Sequence, residues 1–406
     1  MRFRILALTI ALLFVLPLGG RCMELDLTTP APPRAVPQLS SGALLDAPPM
    51  KLDCAAAMLL EAESGQILFE FNADSQRAVA SVTKLMTILL TLEAIDSGRL
   101  ALEQQVVISK EAAGMGGSQV LLDVGETQSV SLLLKSMIVG SANDAAVALA
   151  EALYGSEALC CAKMNERAQE LGMADTHFVN CTGLPVDGQH TTVRDVARMS
   201  IAVFGHSLYY AYSQIWLDEI DHGDGRMTQL TNTNKLIRLL DGCDGGKTGS
   251  TNEAGYCISA TAKRGDMRLI AVVLGASSGA KRFDIAKEML NYGFANYRLY
   301  PVAQRGARIR GEIRVLGGES DRLPLELGGD LTLLIQKGDE QNVRLTPTLP
   351  ETVDAPVDLG AKIGSVSIEI GDKTVAEIPI LAAEAVPGKG LKPSLRRLIL
   401  HWPLTE

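Results

Sequence analysis

Ser81-Val82-Thr83-Lys84 places a hydroxyl and an amine three residues apart at the start of an apolar-periodic segment. Residues i and i+3 share a helix face, so the Ser81 hydroxyl and the Lys84 amine come within hydrogen-bond reach. The positive end of the helix dipole and partial burial both disfavour a second positive charge there, which lowers the Lys84 pKa. A neutral amine beside a hydroxyl is a base for an activated nucleophile. The spacing alone is a weak signal, since it arises about once or twice by chance in such a chain, and it recurs at Ser278-Gly279-Ala280-Lys281. Context separates the two copies. Downstream of Ser81 come Gly140-Ser141-Ala142-Asn143-Asp144, between two predicted helices, and Gly246-Lys247-Thr248-Gly249, entering a predicted strand; downstream of Ser278 neither occurs. A second SxN, Ser250-Thr251-Asn252, abuts Gly249 and cannot supply a separate cleft wall.

The elements that must hold these residues are legible as periodicities. Residues 55–60 and 66–71 flank Glu63-Ser64-Gly65 and read as a β-hairpin. A helix follows with Leu85, Ile88, Leu89, Leu92 and Ile95 on one face and Gly98 as its stop. Amphipathic helices are predicted over residues 131–139, 144–153 and 192–203. Residues 255–262 and 268–275 are β-type runs joined by the tight turn Arg264-Gly265-Asp266, and a helix over 283–292 completes an α+β unit spanning residues 51–298. Beyond Tyr300 apolar residues alternate instead: Ile309, Ile313 and Val315, then Leu323, Leu325 and Leu327, then Val366, Ile368 and Ile370. Gly-rich turns separate these runs, which predicts a small β-rich domain over residues 299–385.

The chain has 406 residues, 47 % apolar and 21 % charged, which argues against wholesale disorder and against a multi-span membrane protein. Its 38 basic and 47 acidic residues give a net charge of −9 with no long block of either sign, the opposite of a nucleic-acid binder that works through bulk positive charge. Seven cysteines form no CxxC pair and have no histidine at zinc spacing, so neither a metal nor a cofactor is expected. Arg2 and Arg4, the apolar run 5–18 and Gly19-Gly20 have the layout of a secretory signal over residues 1–22, which predicts an exported, extracytoplasmic protein. Arg21 stands where a small residue should precede a lipidated Cys22. Residues 23–50 are rich in Pro, Ala, Ser and Thr and read as an extended tether. In the tail, residues 386–406, Lys389, Lys392, Arg396 and Arg397 stand beside Leu395, Leu398, Ile399 and Trp402. That pattern fits a basic amphipathic helix lying peripherally on an anionic membrane, and equally a segment docked on its own domain. His177 and His190 fall between the motifs and are expected to be structural, Cys160-Cys161 to pack in a helix, and Cys257 to face either the cleft or the core.

SxxK, SxN and KTG in this order are the signature of the penicillin-recognising acyl-serine enzymes. With their flanks, including Ala254-Gly255-Tyr256-Cys257, His177-Phe178-Val179-Asn180 and Asn232-Thr233-Asn234, the sequence resembles the low-molecular-mass penicillin-binding proteins that act as serine-type D-alanyl-D-alanine carboxypeptidases. The resemblance runs over about residues 50–385. It implies a beta-lactamase/transpeptidase-like catalytic domain, an antiparallel sheet with helices, followed by the small all-β domain. It also implies roles. Ser81 attacks the carbonyl between the two terminal D-alanines of a peptidoglycan stem peptide, and Lys84 takes its proton. Ser141 passes a proton to the leaving amine, and Asn143 binds the substrate amide. Lys247 supplies charge for the terminal carboxylate and Thr248 a hydroxyl, while Gly246 and Gly249 leave room for substrate backbone. Backbone N–H groups of Ser81 and Ser250 form the oxyanion hole, and beta-lactams acylate the same Ser81. Two rivals remain. A beta-lactamase needs a base for the deacylating water, commonly a Glu followed four residues later by Asn, where this chain offers Asp175 and Asn180. A wall-binding protein that has lost turnover would not need all the catalytic side chains present here. Ser250 stands where relatives often carry a larger residue such as His, which bears on substrate preference and turnover rate.

Overall fold

The computed structural model describes residues 36–371 and 373–390. In chain order the first unit carries β1 (Ala56–Glu61), β2 (Ile67–Phe71), a 3-10 turn (Ala80–Thr83), α1 (Lys84–Asp96), β3 (Gln105–Val107), α2 (Lys110–Ala113), β4 (Thr127–Ser129), α3 (Val130–Val139), α4 (Asn143–Tyr154) and α5 (Glu157–Glu170). It continues with α6 (Val193–Phe204), α7 (Ser207–Ser213), β5 (Leu217–Asp221), β6 (Met227–Thr231), α8 (Leu236–Leu239), β7 (Cys243–Thr251), β8 (Gly255–Arg264), β9 (Met267–Ala276) and α9 (Gly279–Asn296). Its main sheet is antiparallel with the order β2-β1-β9-β8-β7, so β7, which carries Lys247-Thr248-Gly249, is an edge strand.

Alternation in the central strands divides the core in two. Ala56, Met58 and Leu60 of β1 and Ile270, Val272 and Leu274 of β9 join the core on the side of α1 and α6. Ala57 and Leu59, with Leu269, Ala271 and Val273, face α9 through Phe283, Ala286, Met289 and Leu290. Each fully buried Leu or Ile contributes about 1.5–3 kcal/mol. The expected one-sided helix after Ser81 is buried nearly all round, from Lys84 through Leu92, because other helices and the sheet enclose it. Its first turn therefore lies inside the molecule, and this is what places Lys84 there.

The second unit is all-β: β10 (Tyr297–Ala303) pairs with β13 (Leu331–Gln336). The strands β11 (Arg308–Leu316), β12 (Arg322–Leu327), β14 (Val343–Thr348), β15 (Thr352–Asp354), β16 (Lys362–Ile370) and β17 (Lys373–Ala382) form a sheet in the order β14-β16-β17-β12-β11-β15. Ile313, Val315, Leu323, Leu325, Ile368, Ile378 and Ile380 fill its core. The α+β class with an appended β domain is as expected.

Two terminal expectations are refined. The second half of the Pro-rich segment does not hang free. Val36, Leu39 and Ala43 pack on the main core, and the N–H groups of Ser40, Leu44 and Leu45 donate to the carbonyls of Gly65, Ile67 and Leu68 at 2.9–3.0 Å. An exposed β2 edge would leave those carbonyls unpaired, and this segment covers it. At the other end, Val386 pairs with Val357 and is buried, and Lys389 binds Asp321 at 3.2 Å, so residues 386–390 are docked on the β domain. The signal sequence, Cys22 and the tail from residue 391 lie outside the described residues. Among the described residues no single helix is long and apolar enough to cross a membrane.

Candidate active site

Ser81 sits half-buried on the 3-10 turn, and Lys84 opens α1 with its side chain fully enclosed. Lys84 Nζ donates to Ser81 Oγ at 2.9 Å and to the Thr182 carbonyl at 2.8 Å. Burial pushes the amine down to about 7, outweighing the opposing pull of Cys181 and Asp144. Desolvation is the largest cause of this shift. A lysine near 7 is part-neutral at physiological pH and can accept the serine proton.

The Thr182 carbonyl is held by a small polar loop. Asn180 Oδ1 accepts from the N–H groups of Thr182 and Gly183 and from Thr182 Oγ1, while Asn180 Nδ2 donates to the Leu184 carbonyl. Gly183 has φ +84°, and a Cβ there would stand 1.9 Å from the Ala80 carbonyl oxygen. Only glycine lets this loop press against the nucleophile turn. Ala80 itself has φ +49°, so the turn that presents Ser81 carries backbone strain.

The opposite wall is a second Ser–Lys pair. Ser141, with φ +63°, lies between α3 and α4, and Lys247 Nζ donates to its Oγ at 2.7 Å and to the Thr248 carbonyl at 3.0 Å. Burial holds Lys247 well below the ordinary lysine value, with the charges of Lys84 and Arg282 adding to the shift. A carboxylate beside Nζ would supply a countercharge and favour the protonated amine. Asn143 opens α4 almost fully buried; its Nδ2 donates to the Gly116 carbonyl at 2.6 Å, while its Oδ1 is buried with no partner. That oxygen is an unused acceptor.

Both glycines of the KTG segment were expected to make room for substrate, and here the geometry differs. A Cβ on Gly249 would fall 2.6 Å from the Val79 carbonyl oxygen and 2.8 Å from Ser81 N, and one on Gly246 would fall 2.6 Å from the Ser259 carbonyl oxygen. They accommodate the chain's own backbone. At Gly249 this brings β7 against the nucleophile turn, beside Ser250, whose exposed position pairs with Tyr256 of β8.

Sequence reasoning assigned no role to several supports of the site. Tyr209 Oη donates to the Gly246 carbonyl at 3.0 Å and accepts from Gly246 N at 3.1 Å, substituting for a strand neighbour. Asn234 Nδ2 donates to the Gly245 carbonyl at 3.1 Å, and Arg282 Nη1 to that of Gly249 at 2.9 Å. Asn234 stands in a motif flank; nothing in local spacing marks Tyr209 or Arg282.

The competing residues lie elsewhere. Ser278 caps α9, accepting from Lys281 N at 3.2 Å, and Lys281 is exposed. Thr251 Oγ1 of the second SxN accepts from Ala254 N in the β7–β8 turn. His177 and His190 exchange backbone hydrogen bonds at 2.9 and 3.1 Å. Cys160, Cys161 and Cys257 are buried in the main core, which resolves the Cys257 alternative in favour of the core. Asp175 accepts from Gln76 at the surface, while the Asn180 side chain is engaged in the loop under Lys84.

A buried lysine bonded to one serine, with a second buried lysine bonded to another, is an arrangement suited to serine acyl transfer. The chain belongs to the D-alanyl-D-alanine carboxypeptidases: the model of that family matches residues 44–278, and that of the penicillin-binding protein 5 C-terminal domain matches residues 297–388. Among relatives, D-alanyl-D-alanine carboxypeptidase DacF of Bacillus subtilis is 35% identical over 86% of this chain and 89% of its own length. DacD of Escherichia coli is 32% identical over 84% and 89%. The crystal structure of penicillin binding protein 5 from Haemophilus influenzae superposes with a TM-score of 0.73 at 29% identity, covering 84% of this chain and 99% of that one. The expected family and fold class are thus borne out, and the protein is a serine-type carboxypeptidase of the D-Ala-D-Ala class.

Proposed function

We propose that the enzyme removes the terminal D-alanine from peptidoglycan stem pentapeptides through an acyl-enzyme on Ser81. Lys84 accepts the Ser81 proton as Oγ bonds to the carbonyl carbon of the penultimate D-alanine. The negative oxygen that develops is met by the N–H groups of Ser81 and Ser250, each such donor being worth about 3–4 kcal/mol of barrier. The amide C–N bond then breaks, with a proton delivered through Ser141 to the leaving amine, and D-alanine departs. Water attacks the ester and returns the proton to Ser81. Lys247 and Thr248 hold the terminal carboxylate, and Asn143 accepts from the substrate amide through Oδ1. Beta-lactams, whose strained amide mimics the scissile bond, acylate the same serine. The N-terminal residues direct export, so the enzyme works on the cell-wall side.

The observation that carries this reading is the 2.9 Å bond from an enclosed Lys84, brought to about 7, to Ser81. The test is release of D-alanine from a stem pentapeptide together with covalent labelling by a fluorescent penicillin. Both are expected in the native protein and absent in Ser81→Ala. Labelling that persisted in that variant would overturn the assignment, and labelling without D-alanine release would make this a penicillin binder without peptidase turnover.

A further inference from the structure

Residues 114–126, between α2 and β4, form a strap whose two ends are held differently. Its inner part is tied to the SxN segment. The Ser118 carbonyl accepts from Asn143 N at 2.7 Å and the Gly116 carbonyl from Asn143 Nδ2 at 2.6 Å. The Asp144 carboxylate accepts from Val120 N at 3.0 Å and from Leu122 N at 3.3 Å. Gly117 has φ +80°, and a Cβ there would sit 2.9 Å from Asn143 Nδ2. The strap is therefore what orients the Asn143 amide and leaves its Oδ1 without an intramolecular partner.

The outer part has little apolar anchorage. Val120 and Leu122 are buried, but Leu121 is 59% and Val124 64% exposed. The β5–β6 hairpin holds this part by polar contacts. Arg226 Nη1 donates to the Leu121 carbonyl at 3.1 Å, and its Nη2 reaches Glu126 Oε2 at 3.0 Å and Asp123 Oδ2 at 2.8 Å. His222, buried on the same hairpin, donates through Nδ1 to Glu126 Oε1 at 2.8 Å and meets Thr228 Oγ1 through Nε2 at 2.9 Å. Gln128 Nε2 closes the cluster, donating to Glu126 Oε1 at 2.8 Å and to the Asp221 carbonyl at 3.2 Å. Leu121 is held at φ +64°, a strained conformation for a residue with a side chain, with its carbonyl accepting from Arg226.

We propose that Arg226, with Glu126 and His222, is a positioning residue for the carboxypeptidase reaction: it latches the strap to the β5–β6 hairpin and thereby sets the Asn143 amide that binds substrate. The guanidinium suits this task because its planar fork spans the Leu121 carbonyl, the Asp123 and Glu126 carboxylates of the strap and, through Nε at 2.7 Å, Asp224 of its own hairpin, which an ammonium cannot. The inference rests on the acyl-enzyme reading above, with Asn143 as the substrate-amide ligand.

The test compares acylation of the full chain by fluorescent penicillin in Arg226→Ala, Asn143→Ala and the double variant, with Arg322→Ala in the β domain as the control, and follows amide exchange of Val120 and Leu122. Arg226→Ala is expected to slow acylation about tenfold to a hundredfold, the scale of a misplaced substrate contact, and to speed exchange of both amides. In the Asn143→Ala background it is expected to slow acylation less than twofold further, since it acts through that residue. Arg322→Ala should change neither readout. Wild-type acylation in Arg226→Ala, an undiminished further loss in the double variant, or a loss that tracks only the unfolded fraction would each overturn the latch. A native protein that takes no penicillin at all would refute the acyl-enzyme reading instead, and the exchange of Val120 and Leu122 would still decide whether Arg226 holds the strap.

Discussion

Ser81 to Lys84 and Ser278 to Lys281 share one spacing and end in unlike places. In both, a serine precedes a helix turn and a lysine stands three residues on. At the first, the helix enters a core that closes around it, and the amine loses water and is driven toward neutrality against the hydroxyl. At the second, the serine hydroxyl accepts from the backbone N–H of Lys281 while the lysine side chain extends into solvent. The spacing creates a pair, and burial decides whether the pair is a base and nucleophile or a helix cap.

That contrast can be broken in several ways. The largest effect belongs to the lysines. Lys84→Arg retains a charge that cannot be given up, and acylation by penicillin is expected to fall by about 10²–10⁴-fold, whereas Lys281→Arg leaves it unchanged; stopped-flow labelling measures both. Next comes pH. With Lys84 near 7, acylation should rise as pH increases through about 7 and then level. Stability should move the same way: the unfolded chain binds a proton that folded Lys84 has released between about 7 and 10.5, so the folded state gains over that window. Thermal melting against pH should show this rise, and Lys84→Met should flatten part of it. Gly183→Ala tests the neighbour that only the first pair has, and is expected to destabilise by about 1–3 kcal/mol and to slow acylation, measured by urea unfolding and labelling together. The smallest effect is at the cap, where Ser278→Ala should cost about 1 kcal/mol of stability with labelling at the native rate.

Much of this was legible in the chain. The near-continuous apolar runs at residues 55–60 and 268–275 mark the central strands because both faces of the sheet are covered, and the three motifs named the residues of both Ser–Lys pairs. Less legible was what lies between them. Tyr209 bonding both backbone groups of Gly246, and Arg282 reaching the Gly249 carbonyl, are partnerships across long sequence separations that leave no period or spacing. The docking of residues 36–50 was hidden by composition, since a Pro-rich segment reads alike whether it hangs in solvent or lies along an edge strand. The glycines of β7 read as making room for substrate backbone, and at both positions a Cβ would meet the chain's own backbone, which sequence does not show.

Because no side chain fits between Gly249 and the backbone of Val79 and Ser81, that wall of the cleft is closed to point mutation. A side chain added there would displace the Ser81 backbone N–H, which the proposed mechanism uses as an oxyanion donor. The neighbouring exposed positions on this strand pair are Ser250 and Tyr256, which face each other across β7 and β8. On the proposed acylation of Ser81 by beta-lactams, drug tolerance gained at this strand would be written beside the motif, leaving the motif itself intact.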